Sequence, residues 1–400
     1  MAGTPLPDAG TDLGDGWRAA VHRDDGALDD LAPEWEQLYA RCPDATPFQS
    51  PGWLTAWWRH YGRAGALRLA VVRRDGRLVG VGAFSATRRL GVPALRPIGV
   101  GLSDWTDVLA DPEHEHRALD GLASALLAEP GWQVLDLPEV RAEAAALRWA
   151  ERWPGPARRA AGSMCADMPA RPFDEVVTEM PNASTRQSTR RSLRKLDAAG
   201  LVEDVVPAAD AANGVRLLLA LHEQQWRDRG GMTPEHGRPR FARFLTEATS
   251  AMVARGQARL TAYRLDGEVV AGDLTLVGHD LVGGYLYGAR PELFGRFNVT
   301  AMLMRTALTT ATAAGAGTFS MLRGRETYKT TWQATEAPNA RVLLGRPGRP
   351  VLAAYTCAVR ARSALVALAR ERAPAVRKGL LAARDVARNP SLLLRRVTGR

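Results

Sequence analysis

Residues 68–85 read RLAVVRRDGRLVGVGAFS, and residues 259–276 read RLTAYRLDGEVVAGDLTL. The second stretch lies 191 positions after the first, with six identities: Arg68/Arg259, Leu69/Leu260, Arg73/Arg264, Asp75/Asp266, Gly76/Gly267 and Val79/Val270. Each copy is an apolar-rich run, an Asp-Gly pair and a second apolar-rich run. Asp-Gly supplies the positive φ that a tight turn between twisted strands needs, so each copy predicts a β-hairpin. Solenoid repeats recur roughly every 20–50 residues. A spacing this much longer predicts two related domains instead.

Outward from the first hairpin, Leu31, Trp35 and Leu38 recur at helical spacing and predict a helix over 29–41, followed by another over 51–61. After the hairpin come a strand at 94–100, a loop over Gly101–Asp107, a helix at 114–128, a strand at 132–137 and a helix at 141–152. Trp153-Pro154-Gly155-Pro156, Pro169 and Pro172 break the pattern and place a domain boundary near 160–172. Around the second hairpin, helices are expected at 183–199, 210–229 and 238–255. A strand at 281–289, a loop, a helix at 298–314 and strands at 317–322 and 340–344 follow it. This order predicts an α/β fold of α+β layers, with two tandem domains whose mixed central sheets are flanked by helices. The domains are expected at 17–165 and 166–345, between a disordered segment at 1–16 and a basic helical tail at 346–400.

With 46% apolar and 24% charged residues, the composition is that of a soluble globular protein. The net charge of +10 is uneven: residues 341–400 hold 14 Lys/Arg and two acids, Glu371 and Asp385, and the remaining chain nets −2. Between Pro374 and Pro390, Val376, Leu380, Ala383 and Ala387 form a stripe beside Arg377, Arg384 and Arg388, an amphipathic basic helix. Such a tail suits an anionic membrane surface. Nucleic acid is not expected, because the body lacks a nucleic-acid-binding motif. Cys42, Cys165 and Cys357 are far apart and no His/Cys ligand spacing occurs, so no zinc site, other metal or disulfide framework is expected. No secretory h-region and no uninterrupted apolar run of ~18 residues is present, and the expected setting is cytoplasmic, at most peripheral to the inner membrane face. The chain carries no GxxxxGK[ST], Rossmann GxGxxG, GxSxG or HExxH motif.

Four segments carry candidate chemistry. On a helix, Arg186, Arg190 and Arg194 share one stripe, where an anionic ligand would offset their repulsion; a solvated face is the alternative. His222 and Trp226 also share a face, as a general base beside an aromatic wall or as a packed pair. Arg323-Gly324-Arg325-Glu326-Thr327-Tyr328-Lys329-Thr330-Thr331-Trp332 follows a strand and holds residue types that bind anions or position an acyl group. Ser103-Asp104-Trp105-Thr106-Asp107 offers two carboxylates, as a base or amine site or as a turn capped by Asp. The tryptophans of Trp53-Leu54-Thr55-Ala56-Trp57-Trp58 wall a pocket or fill a core.

Taken in order, Phe48-Gln49-Ser50-Pro51-Gly52-Trp53-Leu54, the first hairpin, Ser103-Asp104-Trp105, the Arg-rich helix ending at Gly200, Leu221-His222 with Trp226, the second hairpin and Gly324–Trp332 resemble a family. They look like the GNAT-like acyltransferases of the cellulose-biosynthesis (CelD/BcsL) type, relatives of the FemABX peptidyltransferases, over about residues 30–345. The resemblance implies acyl transfer from acyl-CoA or a similar activated donor to an amine or hydroxyl of a small-molecule, glycan, lipid-linked or other cell-envelope or polysaccharide precursor. It implies a donor pyrophosphate at a helix N-terminus, here Phe294-Gly295-Arg296-Phe297-Asn298; the stripe of Arg186, Arg190 and Arg194 is the alternative contact for the donor phosphates, or for an anionic acceptor. It implies His222 or Asp104 as base, Tyr328 as acid to the leaving thiolate, and Lys329 or Arg323 on the carbonyl or the acceptor. Trp53, Trp105, Trp226, Glu326 and Trp332 complete the expected substrate site. Only one glycine stands in that turn, beside the bulky Phe297. A non-catalytic relative that binds an anionic glycan, a membrane surface or a protein is the alternative.

Overall fold

A computed structural model describes residues 10–227, 232–324 and 326–388, with side chains described to Ala369 apart from Thr327. The N-terminal half contains β1 (Thr11–Asp12), β2 (Trp17–His22), α1 (Ala27–Arg41), α2 (Pro51–Tyr61), β3 (Leu67–Arg74), β4 (Arg77–Arg89), β5 (Val92–Pro97), β6 (Leu109–Ala110), α3 (Glu115–Ala128), β7 (Val134–Val140) and α4 (Ala145–Arg152). Then come β8 (Ala157–Pro169), α5 (Phe173–Glu179), α6 (Ala183–Ala198), β9 (Val202–Val205), α7 (Ala211–Trp226), α8 (Pro239–Val253), β10 (Ala258–Leu265) and β11 (Glu268–Val277). The last elements are β12 (Leu281–Ala289), α9 (Pro291–Arg296), α10 (Val299–Ala313), β13 (Thr318–Arg323), α11 (Thr327–Thr331), β14 (Thr335–Gly345) and α12 (Val351–Arg388).

The two Asp-Gly turns form as their sequence requires. Asp75 and Gly76 have φ of 49° and 80°, and Asp266 and Gly267 have φ of 52° and 80°. Both hairpins carry the same irregularity, a bulge after Val72 in β3 and after Tyr263 in β10, again 191 positions apart. Duplication is therefore visible in the backbone as well as in the side chains.

The described strands form one sheet in the order β1-β2-β3-β4-β5-β7-β14-β8-β13-β12-β11-β10-β9, with β6 added to β4. From β2 and β9 inward, each end has the same plan: β2, β3, β4, β5 and β7 match β9, β10, β11, β12 and β13. The last strand of each half is exchanged. β8 leaves the N-terminal half to pair antiparallel with β13, and β14 leaves the C-terminal half to pair with β7. The two exchanged strands pair with each other at the centre, from Thr335↔Asp167 to Leu344↔Ala157. The molecule is a mixed α/β fold of two similar halves joined through this centre.

Three expectations change. Thr11 and Asp12 pair with Ala19 and Arg18, so the end of the segment expected to be disordered is a strand; residues 1–9 lie outside the described residues. The stretch read as a broken domain boundary holds β8, which crosses position 165/166 without interruption. The tail is one helix, α12, which continues past Pro374. Its segment Val351–Ala369 also has the length and apolarity of a membrane span, with mean hydropathy 1.4, despite Arg360 and Arg362 within it. The side chains of the stripe Val376, Leu380, Ala383 and Ala387 lie outside those described.

One core lies between the halves. Trp53 of α2 meets Phe244 of α8 edge to face at 4.9 Å and Tyr285 of β12 at 5.1 Å. A second core packs α3 and α4 on the N-terminal half of the sheet, and a third packs α5, α6 and α10 on the C-terminal half.

Candidate active site

Parallel strands β12 and β13 pair only at their starts, Leu281↔Thr318, Val282↔Phe319 and Gly283↔Ser320, and then diverge. Two local features bend them apart. Tyr285 is an extra residue in β12 opposite β11, where the pairing steps from Leu274↔Leu286 to Thr275↔Gly284. In β13 the pairing steps from Ser320↔Asp167 to Arg323↔Cys165, and Leu322 takes φ 56°, a left-handed conformation rare for a branched side chain. Helix α7 holds the gap open. His222 Nδ1 bonds Tyr287 O at 2.7 Å, and Gln225 Oε1 accepts from Ala289 N at 3.0 Å, so α7 side chains satisfy groups that a partner strand would otherwise take. The approach depends on Gly288, where a Cβ would collide with the backbone of His222.

The gap contains a cavity of about 230 Å³. It is lined by β11, β12 and β13, by the first turns of α10 from Thr300 to Ala307, by His222 and Trp226, by Glu326, Tyr328 and Lys329, and by Asp104 from the other half. The corresponding gap in the N-terminal half, between β5 and β7, is filled. There the chain leaves the sheet after β5, makes an excursion over 98–108 and returns to β4 as β6 (Gly80↔Ala110, Val81↔Leu109). Within the excursion, Thr106 N donates to Glu139 O at 2.9 Å. Glu139 has φ 57° and corresponds in β7 to Leu322 in β13. The same excursion carries Asp104 into the cavity of the C-terminal half.

All four expected catalytic residues line this cavity, and the geometry divides their roles. Tyr287 O can only accept, so His222 carries its proton on Nδ1. Burial lowers its pKa, and as a neutral ring it presents a lone pair on Nε2. That lone pair faces His236 Nδ1 at 3.3 Å, which must donate. Burial, with His222 beside it, lowers the pKa of His236 to about 4, so both rings are neutral at physiological pH. His222 is thus tied at both nitrogens and acts as a wedge between α7 and β12.

Lys329 is 4% exposed, and its ammonium donates to Leu322 O (3.1 Å), Arg323 O (3.0 Å) and Gly324 O (3.5 Å) while pairing with Glu326 at 2.9 Å. It orders the turn at the end of β13, where Gly324 has φ 128°, and has no donor left for a carbonyl. Arg323 is also committed: its guanidinium binds Asp104 and donates to Ser103 O at 3.2 Å, joining the halves. Burial raises the pKa of Asp104, with Arg323 opposing the shift. Tyr328 is 38% exposed, and burial of its hydroxyl near Glu326 and Tyr287 raises its pKa, so the O–H persists at neutral pH. The second acid of the excursion, Asp107, accepts from Ala145 N and Ala146 N and caps α4.

Sequence reasoning missed Asp273. It lies in the middle of β11, lines the cavity and is 7% exposed. Tyr263 OH donates to one carboxylate oxygen at 2.7 Å and Thr275 Oγ1 to the other at 2.9 Å. Burial raises its pKa to about 6 despite those two donors. Each oxygen keeps further acceptor capacity. The repeat contained the signal: at the same offset, the first copy has Gly82 where the second has Asp273.

Three expected substrate contacts are core residues. Trp53 and Trp105 are buried with their indole N–H groups on Ser103 Oγ (2.9 Å) and Asn339 Oδ1 (3.1 Å), and Trp332 packs on Phe173. Trp226, Arg323 and Glu326 line the cavity. The arginine stripe is divided. Arg186 bonds Met180 O and Arg190 bonds Thr178 Oγ1 at 2.7 Å, fixing α5 to α6, while Arg194 is exposed. The residues of α6 that reach the start of α10 are Ser192, whose Oγ accepts from Asn298 N at 2.7 Å, and Lys195, which donates to Arg296 O at 3.1 Å and lies over the Phe297 ring.

At that start, Asn298 caps α10 by accepting from Ala301 N at 3.0 Å. The amides of Val299 and Thr300 have no acceptor within the helix and point outward from its N-terminus. Gly295 lies inside α9 with open space where a Cβ would stand, and Arg296 stacks over Phe297. An anion placed there would meet two amides, the positive end of the α10 dipole and the cations Lys195 and Arg296. Among the described residues, no group of three or more His, Cys, Asp or Glu side chains is placed to hold a metal ion.

Residues 183–330 match the family model described as an acetyltransferase (GNAT) domain. The chain is similar to the structure of FemX, with 13% identity, TM-score 0.58, and 78% of this chain and 95% of that one covered. It is similar to the C-terminal domain assigned to a lysylphosphatidylglycerol synthetase of Agrobacterium fabrum, with 11% identity, TM-score 0.51, and 79% and 92% covered. It is also similar to L-PGS from Bacillus licheniformis, with 11% identity, TM-score 0.50, and 82% and 95% covered. No curated protein matches the chain in sequence. At these identities the structures share a fold, and the family match lies on the half that holds the cavity.

Proposed function

We propose that the chain is an acyltransferase that moves an acyl group from acyl-CoA to an amine or hydroxyl held in the cleft between its halves. The observation that carries this reading is the open splay of β12 and β13, with a poised carboxylate inside and a helix N-terminus at its rim. An acyl-pantetheine arm is an extended chain with two amides, and diverging strands offer it backbone partners as an added strand would use them. The donor phosphates would lie at the start of α10, beside Lys195 and Arg296. Gly295 leaves room for them.

The chemistry then needs two proton transfers. Asp273 accepts the proton that the attacking amine or hydroxyl loses as the new acyl bond forms, and a carboxylate with a pKa near 6 suits that task. Tyr328 supplies a proton to the sulfur as the C–S bond breaks. His222, Lys329 and the Asp104–Arg323 pair position these groups. The resemblance to cellulose-biosynthesis acyltransferases and peptidyltransferases favours an acceptor from cell-envelope or polysaccharide precursors.

Titration calorimetry of the full chain with CoA, acetyl-CoA and palmitoyl-CoA tests the donor. At least one should bind saturably, and Lys195→Glu should weaken that binding about tenfold. No binding by any of the three would overturn acyl-CoA as donor.

A further inference from the structure

We infer that α12 is a docking element for the surface of an anionic lipid bilayer. Its first turns are fixed to the body: Leu352, Tyr355 and Val359 are buried against Val134 and Leu343, and Tyr355 OH donates to Asp136 at 2.7 Å. After Val359 the helix leaves the body, and every residue from Arg360 to Ala369 is exposed. That exposed length is mostly apolar. Leu365 is 66% exposed, and Val366 and Leu368 are 42% exposed each, with Ala361, Ala364, Ala367 and Ala369 around them. Only 22% of the apolar window in Val351–Ala369 is buried within the protein. An exposed helical run that is apolar apart from Arg360, Arg362 and Ser363 lacks its partner.

The chemistry of the partner follows from length, distribution and charge. The apolar run after Arg362 ends by sequence at Arg370-Glu371-Arg372; between these charges it reaches about 10 Å at ~1.5 Å per residue, well short of a hydrocarbon core of ~30 Å, so this run lies in an interface and does not cross it. Leu365, Val366 and Leu368 spread over an arc of about 160° at ~100° per residue, with Arg362 on the same face one turn earlier and Ala364 and Ala367 beyond the arc, which suits a lipid interface, where an apolar face and a cation meet, better than a dry protein groove. Residues 346–400 hold 13 Lys/Arg against the two acids Glu371 and Asp385, which matches a negative lipid surface. This inference is independent of the acyl-transfer reading, and its test needs no activity.

The test is flotation of the full chain with vesicles of phosphatidylcholine alone or with ~30% phosphatidylglycerol, at low salt and at about 0.5 M salt. Binding to the anionic vesicles should exceed binding to neutral ones at least about tenfold and fall with salt. The triple variant Leu365→Asp/Val366→Asp/Leu368→Asp should lose about tenfold or more in binding with an unchanged thermal midpoint. Leu365→Ala/Leu368→Ala serves as a milder second variant should the first unfold. Equal binding by both variants, no binding to any vesicle, a lipid-free dimer abolished by the same substitutions, or retention by duplex DNA alone would each overturn the inference.

Discussion

At the scale of single residues, the proposed chemistry rests on Asp273. A buried carboxylate whose pKa rises to about 6 binds a proton in the folded chain that the unfolded chain has already lost between about pH 4 and pH 6. Its stabilising share is present below about pH 4 and is lost as the pH rises through 6, a difference of at most ~3 kcal/mol. Asp273→Asn should therefore raise stability at pH 7 by up to that amount, read by urea denaturation, while lowering kcat by about 10²–10⁴ with little change in KM. The wild-type rate should fall as the pH drops below about 6. A variant with full activity would remove Asp273 from the mechanism, and one less stable at pH 7 would contradict the raised pKa of its carboxyl. This residue was open to detection in the sequence through its contrast with Gly82, but a lone Asp within an apolar strand carries no motif. His222, Asp104, Tyr328 and Lys329 could be found as cavity residues. Their roles could not, because Lys329 and Arg323 are occupied by carbonyls and a carboxylate that only the folded chain brings near.

At the scale of elements, the site exists because two strands part and a helix keeps them apart. Gly288→Ala would drive a Cβ into the backbone of His222 and push α7 away from β12. A loss of about 2–3 kcal/mol is expected, together with weaker donor binding, since the groups of Tyr287 and Ala289 would lose their α7 partners. Unchanged stability and binding would show that α7 does not hold the splay. Arg323→Ala would leave Asp104 buried without its cation and cost about 2–3 kcal/mol. Asp104→Asn should cost less than Arg323→Ala, because it leaves no unpaired carboxylate. The helices and hairpins were legible because their signals are local: apolar spacing, Asp-Gly turns and terminal glycines. Strand β8 was not. Pro154 and Pro156 precede it, it ends on Pro169, and its partner β14 lies more than 160 residues away in sequence, so nothing local marks it as a central strand.

At the scale of the whole molecule, the exchanged strands β8 and β14 and the core shared between the halves join them into one cooperative unit, beside the core that each half packs for itself. Nine of the eleven tryptophans lie before residue 154, so intrinsic fluorescence reports mainly on the N-terminal half, whereas far-UV circular dichroism reports on both. The two probes should give one coincident urea transition; two separated transitions would show independent domains. The duplication was readable from two hairpins, and the asymmetry that matters for function was not. One half uses the excursion at 98–108 to close its own splay and lend Asp104 across the interface, while the other half keeps an open cavity. The central claim is that an acyl donor lies in that open splay. Hydrogen exchange of the full chain with and without saturating acyl-CoA measures it directly. Added protection is expected at residues 284–289 of β12 and in the first turn of α10, with β5 and β7 unchanged. Protection confined to the N-terminal half, or none in β12 and α10, would contradict it.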